Sequence, residues 1–458
     1  MSEQRMRVVI FGAGMVGSAL GQHIIEQGHD ICFVESNSNT VRAIRERMDV
    51  QIVHGTAENT SALKEADIES ADMILVVTNQ DKTNIILTLI ARSFNPKARI
   101  IARIKDVEFL DNRQLWKTGT LADTIIISPE RAVVETALHI LTIQQAFDVV
   151  EFLGGKVRIA GFRLEEDNMI SGKPLREVAH LFPSRHVLMV GVERNGEVFI
   201  PAGDSVLMVG DRVFLTVPEG LNIPDIMALL GKSYRKDPKF VILGGGQIGM
   251  SIARQLEKRG KQAVVIESDH QRCQELAESL SATVVLNGDV TDADLLGRAI
   301  TSDTILLAVT PSQELNFFIS LLARKRGAMQ VVTMMDNEAY IGMAPELGVD
   351  AILSPRLAAV GTILRFARMG RILDSAVLLS GRLNLFLVEV DRGARLDGMP
   401  LREANFPRGL LMVAAVQDKQ IIVPSGDLVL KAGDMALFVT LGDSQSTLME
   451  QFITARDR

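Results

Sequence analysis

Cysteine is nearly absent from this chain. Cys32 and Cys273 are the two it has, and they lie in different halves. They build neither a disulfide framework nor a thiolate metal cluster, and they fit a reducing cytoplasm. A basic field is also absent. Lys and Arg number 49 against 56 Asp and Glu, a net charge of -7. No global potential therefore draws the protein to nucleic acid, although local basic patches remain open. Long apolar runs are missing too. The nearest, Ile305 to Ala323, is broken by Pro311, Gln313, Glu314 and Asn316, whereas a bilayer span needs about 20 apolar residues. Arg5 and Arg7 ahead of Val8–Ala13 mimic a signal peptide, but the glycines and the polar "GQHIIEQGHD" argue against one. The expectation is a soluble chain, able to dock onto a membrane protein.

What is present is globular and large. Hydrophobic residues make up 47% and charged residues 23% of 458 residues. Single cores stop growing near about 250–300 residues, so at least two domains are expected. The chain also repeats itself. "VVIFGAGMVGSAL" (Val8–Leu20) returns as "FVILGGGQIGMSIA" (Phe240–Ala253), with Gly244 lying 232 residues beyond Gly12. Glu35 and Glu267, and Thr78 and Thr310, keep that offset. "RIIARIKD" matches "QVVTMMDN", and "IIISPE" matches "AILSPR". A second repeat follows: "PAGDSVLMVGDRVFLTV" (Pro201–Val217) matches "PSGDLVLKAGDMALFVT" (Pro424–Thr440), now 223 residues apart.

The order is thus A-B-A′-B′. The boundaries expected are a first Rossmann domain at 1–147, a small regulatory domain at 148–218 and a linker at 219–238. A second Rossmann domain follows at 239–373, with its small domain at 374–458. In A, β-rich apolar runs at 7–11, 31–35, 50–53, 73–77, 99–104 and 125–127 alternate with helical patterns at 15–27, 38–47, 60–66, 83–94 and 130–146. That alternation predicts an α/β fold with a doubly wound parallel sheet. B, with strand-like runs, one short helix at 174–181 and two Gly-Asp turns, reads as α+β.

The loop Gly12-Ala13-Gly14-Met15-Val16-Gly17 follows a strand and opens a helix. Gly12 permits the turn, Gly14 lets backbone approach a pyrophosphate, and Gly17 lets helix pack on strand. The helix N-terminus adds free N–H groups and the positive end of a dipole. Glu35 lies 21 residues beyond Gly14, where an acid accepts from ribose hydroxyls and repels a 2′-phosphate. NAD(H) or ATP/ADP is favoured over NADP. Gly244, Gly246, Gln247, Ile248, Gly249 and Glu267 repeat the arrangement, and Asp289 stands where the first copy has Thr56. Thr78 and Arg103 end strands on the carboxyl edge, where ligands bind in such sheets.

Blander readings stand beside these. The glycines would serve helix–strand packing without a ligand. Glu35 and Glu267 would be solvated strand-end acids. Arg103 would form a surface salt bridge, Asp289 would cap a helix, and His54 would be a plain loop histidine. Modules B and B′ carry no His–carboxylate or Tyr–Lys pair of the kind a dehydrogenase needs, and B′ carries no histidine. Binding without chemistry points to a sensor, not an enzyme.

The motifs "VVIFGAGMVGSAL", "ADMILVVTNQDKTN", "RIIARIKD", "IISPE" and "PAGDSVLMVGDRVFL", with their second copies in A-B-A′-B′ order, resemble the tandem form of the regulator-of-potassium-conductance family over nearly the whole chain. The resemblance implies a cytoplasmic subunit, peripheral on the membrane, assembled as a homotetrameric ring beneath a Trk-type potassium-translocating subunit of the TrkH or TrkG kind. It implies binding of NAD(H) and of ATP or ADP, gating potassium flux, with Gly12, Gly14, Gly17, Glu35 and Arg103 in the family's phosphate- and ribose-binding roles. The chain departs from the pattern at Asp81–Lys82 against Gln313–Glu314, and at Met334, which stands in place of a second Arg103. The second site is therefore expected to bind nucleotide more weakly or differently. The competing expectations are an NAD-dependent oxidoreductase, a regulator of another cation transporter, and a Rossmann-type DNA-binding repressor. No helix-turn-helix precedes Val8, which disfavours the last.

Overall fold

The structure is a computed structural model. It describes residues 5–26, 28–56, 59–106, 109–110, 112–117, 119–182, 184, 187–344, 346–367, 372–442 and 448–454. The chain divides into two compact units. One comprises Met1–Val133 with Ser354–Arg368, and the other Val134–Leu353 with Met369–Arg458.

The first unit is built on β1 (Arg7–Phe11), β2 (Asp30–Glu35), β3 (Gln51–His54), β4 (Met73–Val76), β5 (Arg99–Arg103) and β6 (Ile125–Ile127). They pair in parallel in the order β3-β2-β1-β4-β5-β6. This is the doubly wound dinucleotide-binding order. The strands are nearly continuous apolar runs because helices cover both faces. Around them run α1 (Met15–Glu26), α2 (Ser38–Arg47), α3 (Thr60–Glu65), α4 (Asp81–Phe94), α5 (Arg113–Lys117) and the start of α6 (Pro129–Thr142). Val8, Ile10, Phe33 and Leu75 bury toward α1 and α2, while Val9, Phe11, Ile74 and Ile100 bury toward α3 and α4. Helix α6 stops at Thr142, short of the expected 146. Gln145 takes a left-handed backbone (φ 57°), which ends a right-handed helix.

The second unit opens with β7 (Asp148–Phe152), β8 (Val157–Arg163), α7 (Leu175–Val178), β9 (Met189–Arg194), β10 (Glu197–Phe199), β11 (Arg212–Pro218) and α8 (Ile223–Leu229). The strands form an antiparallel sheet in the order β10-β9-β11-β8-β7. Helix α8 lies in the stretch expected as a linker, and its Ile226 and Met227 sit in that sheet's core.

A second parallel sheet follows, from β12 (Lys239–Leu243), β13 (Ala263–Glu267), β14 (Val284–Asn287), β15 (Thr304–Ala308), β16 (Gln330–Met334) and β17 (Ala351–Leu353). Its order, β14-β13-β12-β15-β16-β17, copies the first. Its helices are α9 (Gln247–Lys258), α10 (His270–Ser279), α11 (Ala293–Ala299), α12 (Gln313–Lys325) and α13 (Glu338–Met343).

Next comes α14 (Pro355–Ala367), which belongs to the first unit. Its Ala359 and Ile363 are buried in the α1 face of the first sheet. The last sheet, in the order β18-β19-β22-β20-β21, is formed by β18 (Ile372–Leu378), β19 (Leu383–Glu389), β20 (Leu410–Gln417), β21 (Gln420–Ile422) and β22 (Met435–Leu441), with α15 (Leu401–Ala404) beside it.

The two small sheets share one core. Phe152, Ile159 and Phe214 pack with Leu383, Leu385, Leu437 and Val439. At its edge, Glu193 binds Arg212 (2.5 Å) and Arg382 (2.6 Å). The architecture is therefore two doubly wound Rossmann domains, each followed in sequence by a small antiparallel domain.

Candidate functional site

Each glycine loop is shaped by three different constraints. Gly12 and Gly244 lie at φ 95° and 101°, a region open in practice to glycine. A Cβ there would press on the Thr78 or Thr310 backbone at 3.0 Å. At Gly17 and Gly249 a Cβ would fall 1.9 and 2.0 Å from the carbonyl oxygens of Gly12 and Gly244. These glycines answer to packing. Gly14 and Gly246 do not: a Cβ at either would meet nothing within 4 Å. Open space therefore lies in front of the middle glycine, beside the first turn of α1 or α9. Gly246 caps α9 without a side chain to accept its N–H groups, and such groups have no partner within the helix. Ala13 and Val16 are buried behind the first loop, whereas Met15 is exposed. Gln247 and Ile248 begin α9 after the second loop.

The strand-end acids brace the loops in the same way. Glu35 accepts from Ala13 N (2.7 Å) through Oε2 and from Asn37 N (2.8 Å) through Oε1. Glu267 accepts from Gly245 N (2.7 Å) and Asp269 N (3.0 Å). Burial pushes the Glu267 carboxyl up, but the N–H groups of Asp269, Gly245 and Ser268 outweigh it and hold the group below its ordinary value. His54 stands beside Glu35 in register. Its Nε2 lies 3.0 Å from the Ser36 carbonyl oxygen, where the second copy uses Asn287 on Ser268 (3.1 Å). Both residues tie the end of the third strand to the end of the second.

Thr78 and Thr310 back the loops through a bracing pair that the sequence did not single out. Asn84 accepts from Thr78 N (3.2 Å) and Oγ1 (2.5 Å) and donates to the Arg103 carbonyl (2.8 Å). Asn316 repeats this with Thr310 (3.0 and 2.7 Å) and the Met334 carbonyl (3.0 Å). Its signal was available, because the two asparagines keep the 232-residue offset. The Asp81/Gln313 difference is conservative in function. Asp81 accepts from Lys105 N and Asp106 N (3.0 and 2.8 Å), and Gln313 from Asp336 N and Asn337 N (2.7 and 2.9 Å).

The copies differ at the strand-end cation. Arg103 reaches Glu130 at 3.5 Å, with 15% of its side chain exposed. Arg103 Nε, Glu130 Oε2 and Asp81 Oδ1 are buried without a hydrogen-bond partner among the described residues. Three orphaned polar atoms at one sheet edge fit a polar ligand better than a finished salt bridge. In the second copy Met334 removes the cation, but Arg272 on α10 supplies another. Its Nε donates to Gly245 O (2.8 Å). The equivalent position in the first half is Thr40, so comparing the repeats did not reveal this arginine. Asp289 accepts from the Thr291 N–H (2.7 Å) and hydroxyl (2.8 Å). Those bonds hold it below its ordinary pKa.

Comparison with known proteins assigns this duplicated arrangement. The TrkA-N domain family matches residues 8–128 and 240–355, and the TrkA-C domain family matches 159–221 and 385–453. The Trk system potassium uptake protein TrkA of Azorhizobium caulinodans is 30% identical over 452 residues, 98% of each chain. The chain belongs to the TrkA family. In fold, it resembles the solved GsuK RCK domain (TM-score 0.61, 19% identity, covering 98% of this chain and 95% of that one). It also resembles a GsuK channel bound to NAD (TM-score 0.60, 20% identity, covering 99% and 79%). A TrkA-family chain is a regulatory protein of potassium uptake, not an enzyme. Among the described residues, no helix is long and apolar enough to cross a membrane.

Proposed function

We propose that this chain senses NAD(H) and ATP or ADP and gates a Trk-type potassium-translocating subunit of the TrkH or TrkG kind from the cytoplasmic face of the membrane. The observation that carries this reading is the open space in front of Gly14 and Gly246, the loop glycines that packing does not require. A phosphate group fits there against helix N–H groups. Glu35, already aligned by Ala13 and Asn37, retains lone pairs for ribose hydroxyls. The same carboxylate opposes a 2′-phosphate. The nicotinamide or adenine chemistry belongs to the ligand. The protein's part is to hold phosphates at the loop, hold ribose at Glu35, and offer Arg103 in exchange for its long contact with Glu130.

Gating requires two states of unequal affinity, since a nucleotide bound equally by both shifts nothing. A difference of about 1–3 kcal/mol gives roughly 5–150-fold coupling. Self-association into a tetrameric ring is part of the reading. It is supported by matching exposed apolar side chains on the two Rossmann modules, Ile86 on α4 and Phe318 on α12.

The test is calorimetric titration of the whole chain with NADH and with ATP. Gly14→Val should remove first-loop binding, and Glu35→Ala should weaken it about tenfold or more. Unchanged affinities in both variants would sink the proposal.

A further inference from the structure

The guanidinium of Arg272 meets the second loop edge-on, and three of its five in-plane donors are in use. Nε donates to Gly245 O (2.8 Å), Nη1 to Glu275 (2.5 Å), and Nη2 points at Met250 Sδ (3.3 Å). The arginine is thereby pinned between α9, α10 and the loop, beside Glu267, which holds the N–H of the same Gly245. Its side chain remains 28% exposed. An arginine recognises a phosphate with the fork of donors along its edge, but it stacks on an aromatic ring with its face. Here one donor of each nitrogen is already engaged, and the carboxylates of Glu275 and Glu267 stand nearby to oppose an additional anion. With those carboxylates beside the remaining donors, the face suits a ring better than the edge suits an anion.

We infer that Arg272 is a base-stacking residue, which selects adenine nucleotides at the second loop by lying against the purine. This rests on the reading that the second loop binds nucleotide at all. It also separates the two loops. The first places its cation at the end of β5, on Arg103, and has Thr40 where Arg272 would be. The second gives up that cation at Met334 and gains one on the adenosine side of its strand-end acid. The first loop is thus equipped at the far end of an extended dinucleotide. The second is equipped at the base end, which ATP, ADP and AMP share.

The experiment uses the full chain carrying Gly14→Val, so that the second loop is read alone. ATP and inorganic tripolyphosphate are titrated into this background, then into the same background with Arg272→Lys or with Gly246→Val. Lysine keeps the charge and loses the plane. The expected result is about tenfold weaker ATP binding in Arg272→Lys, from a stacking contribution of the usual size, with tripolyphosphate unaffected. Equal loss of ATP and tripolyphosphate would make Arg272 a phosphate ligand and overturn the inference. So would unchanged ATP binding in Arg272→Lys, provided Gly246→Val abolishes it. If Gly246→Val leaves ATP binding intact, the second loop is not the site and the underlying reading fails instead. Thermal unfolding of each variant checks that the fold is kept.

Discussion

At the scale of single residues, the three glycines of a loop separate into two kinds, and substitution tells them apart. Gly17→Ala places a methyl 1.9 Å from the Gly12 carbonyl oxygen. Helix α1 must move to admit it, and overpacking of this sort costs about 1–3 kcal/mol. Gly14→Ala meets open space, so its unfolding free energy should stay within about 0.5 kcal/mol of the parent while nucleotide affinity falls. Denaturant unfolding paired with NADH titration reads both quantities. If Gly14→Ala bound normally, the space in front of the loop would not be where phosphate sits. Asp148 makes a second prediction. Burial raises its carboxyl to about 6, against the opposing pull of Arg212 and the Val149 N–H. Its folded pKa lies above its unfolded one, so the folded state holds the proton more tightly. The stabilisation is full below about pH 4 and is lost as pH rises through about 6. Asp148→Asn should therefore stabilise the chain at pH 7–8 by about 1–2 kcal/mol and flatten the dependence between pH 4 and 6. Denaturation midpoints at pH 5 and pH 8 measure it, and an unchanged slope would assign the pH dependence to other groups.

At the scale of elements, much of the architecture was legible in the sequence because the chain states it twice. The apolar runs marked the parallel strands to within a residue or two, and the 232-residue offset tied loop to loop and acid to acid. The roles of Asn84 and Asn316 were not legible. Their 232-residue offset marks the pair as repeated, but nothing in the sequence says that a buried amide joins two strand ends to a helix. Nor was the destination of α14. Its apolar face announces a buried helix, but nothing in its residues says which sheet it covers, and it follows β17 directly. It nevertheless places Ala359 and Ile363 in the α1 face of the first sheet. Ile363→Ala in the whole chain should therefore loosen the first unit, by about 2–4 kcal/mol for a fully buried isoleucine. Hydrogen exchange followed by mass spectrometry should show faster exchange in peptides from β1 and α1, with β12 and α9 unchanged. The opposite pattern would mean that α14 serves the sheet it follows.

At the scale of the whole molecule, the two Rossmann modules of one chain differ at Arg103 against Met334 and Thr40 against Arg272, and share an exposed apolar position. Ile86 on α4 is 51% exposed, and Phe318, at the repeat-equivalent position on α12, is 67% exposed. Leu89 lies one turn beyond Ile86 and is exposed as well. Single exposed apolar residues need no explanation, but recurrence at the same place in both modules argues for use. A chain carrying two such faces can contact a neighbour through each, and heterologous contacts of this kind close into rings when the rotation permits. Phe318→Glu should then lower the assembled mass in light scattering behind size exclusion. The melting temperature of the dissociated chain should hardly change, since an exposed side chain contributes little to its own fold. Ile86→Glu should act in the same direction, and the double variant more strongly than either. A Phe318→Glu protein with the parent's mass at micromolar concentration would remove this surface from the assembly.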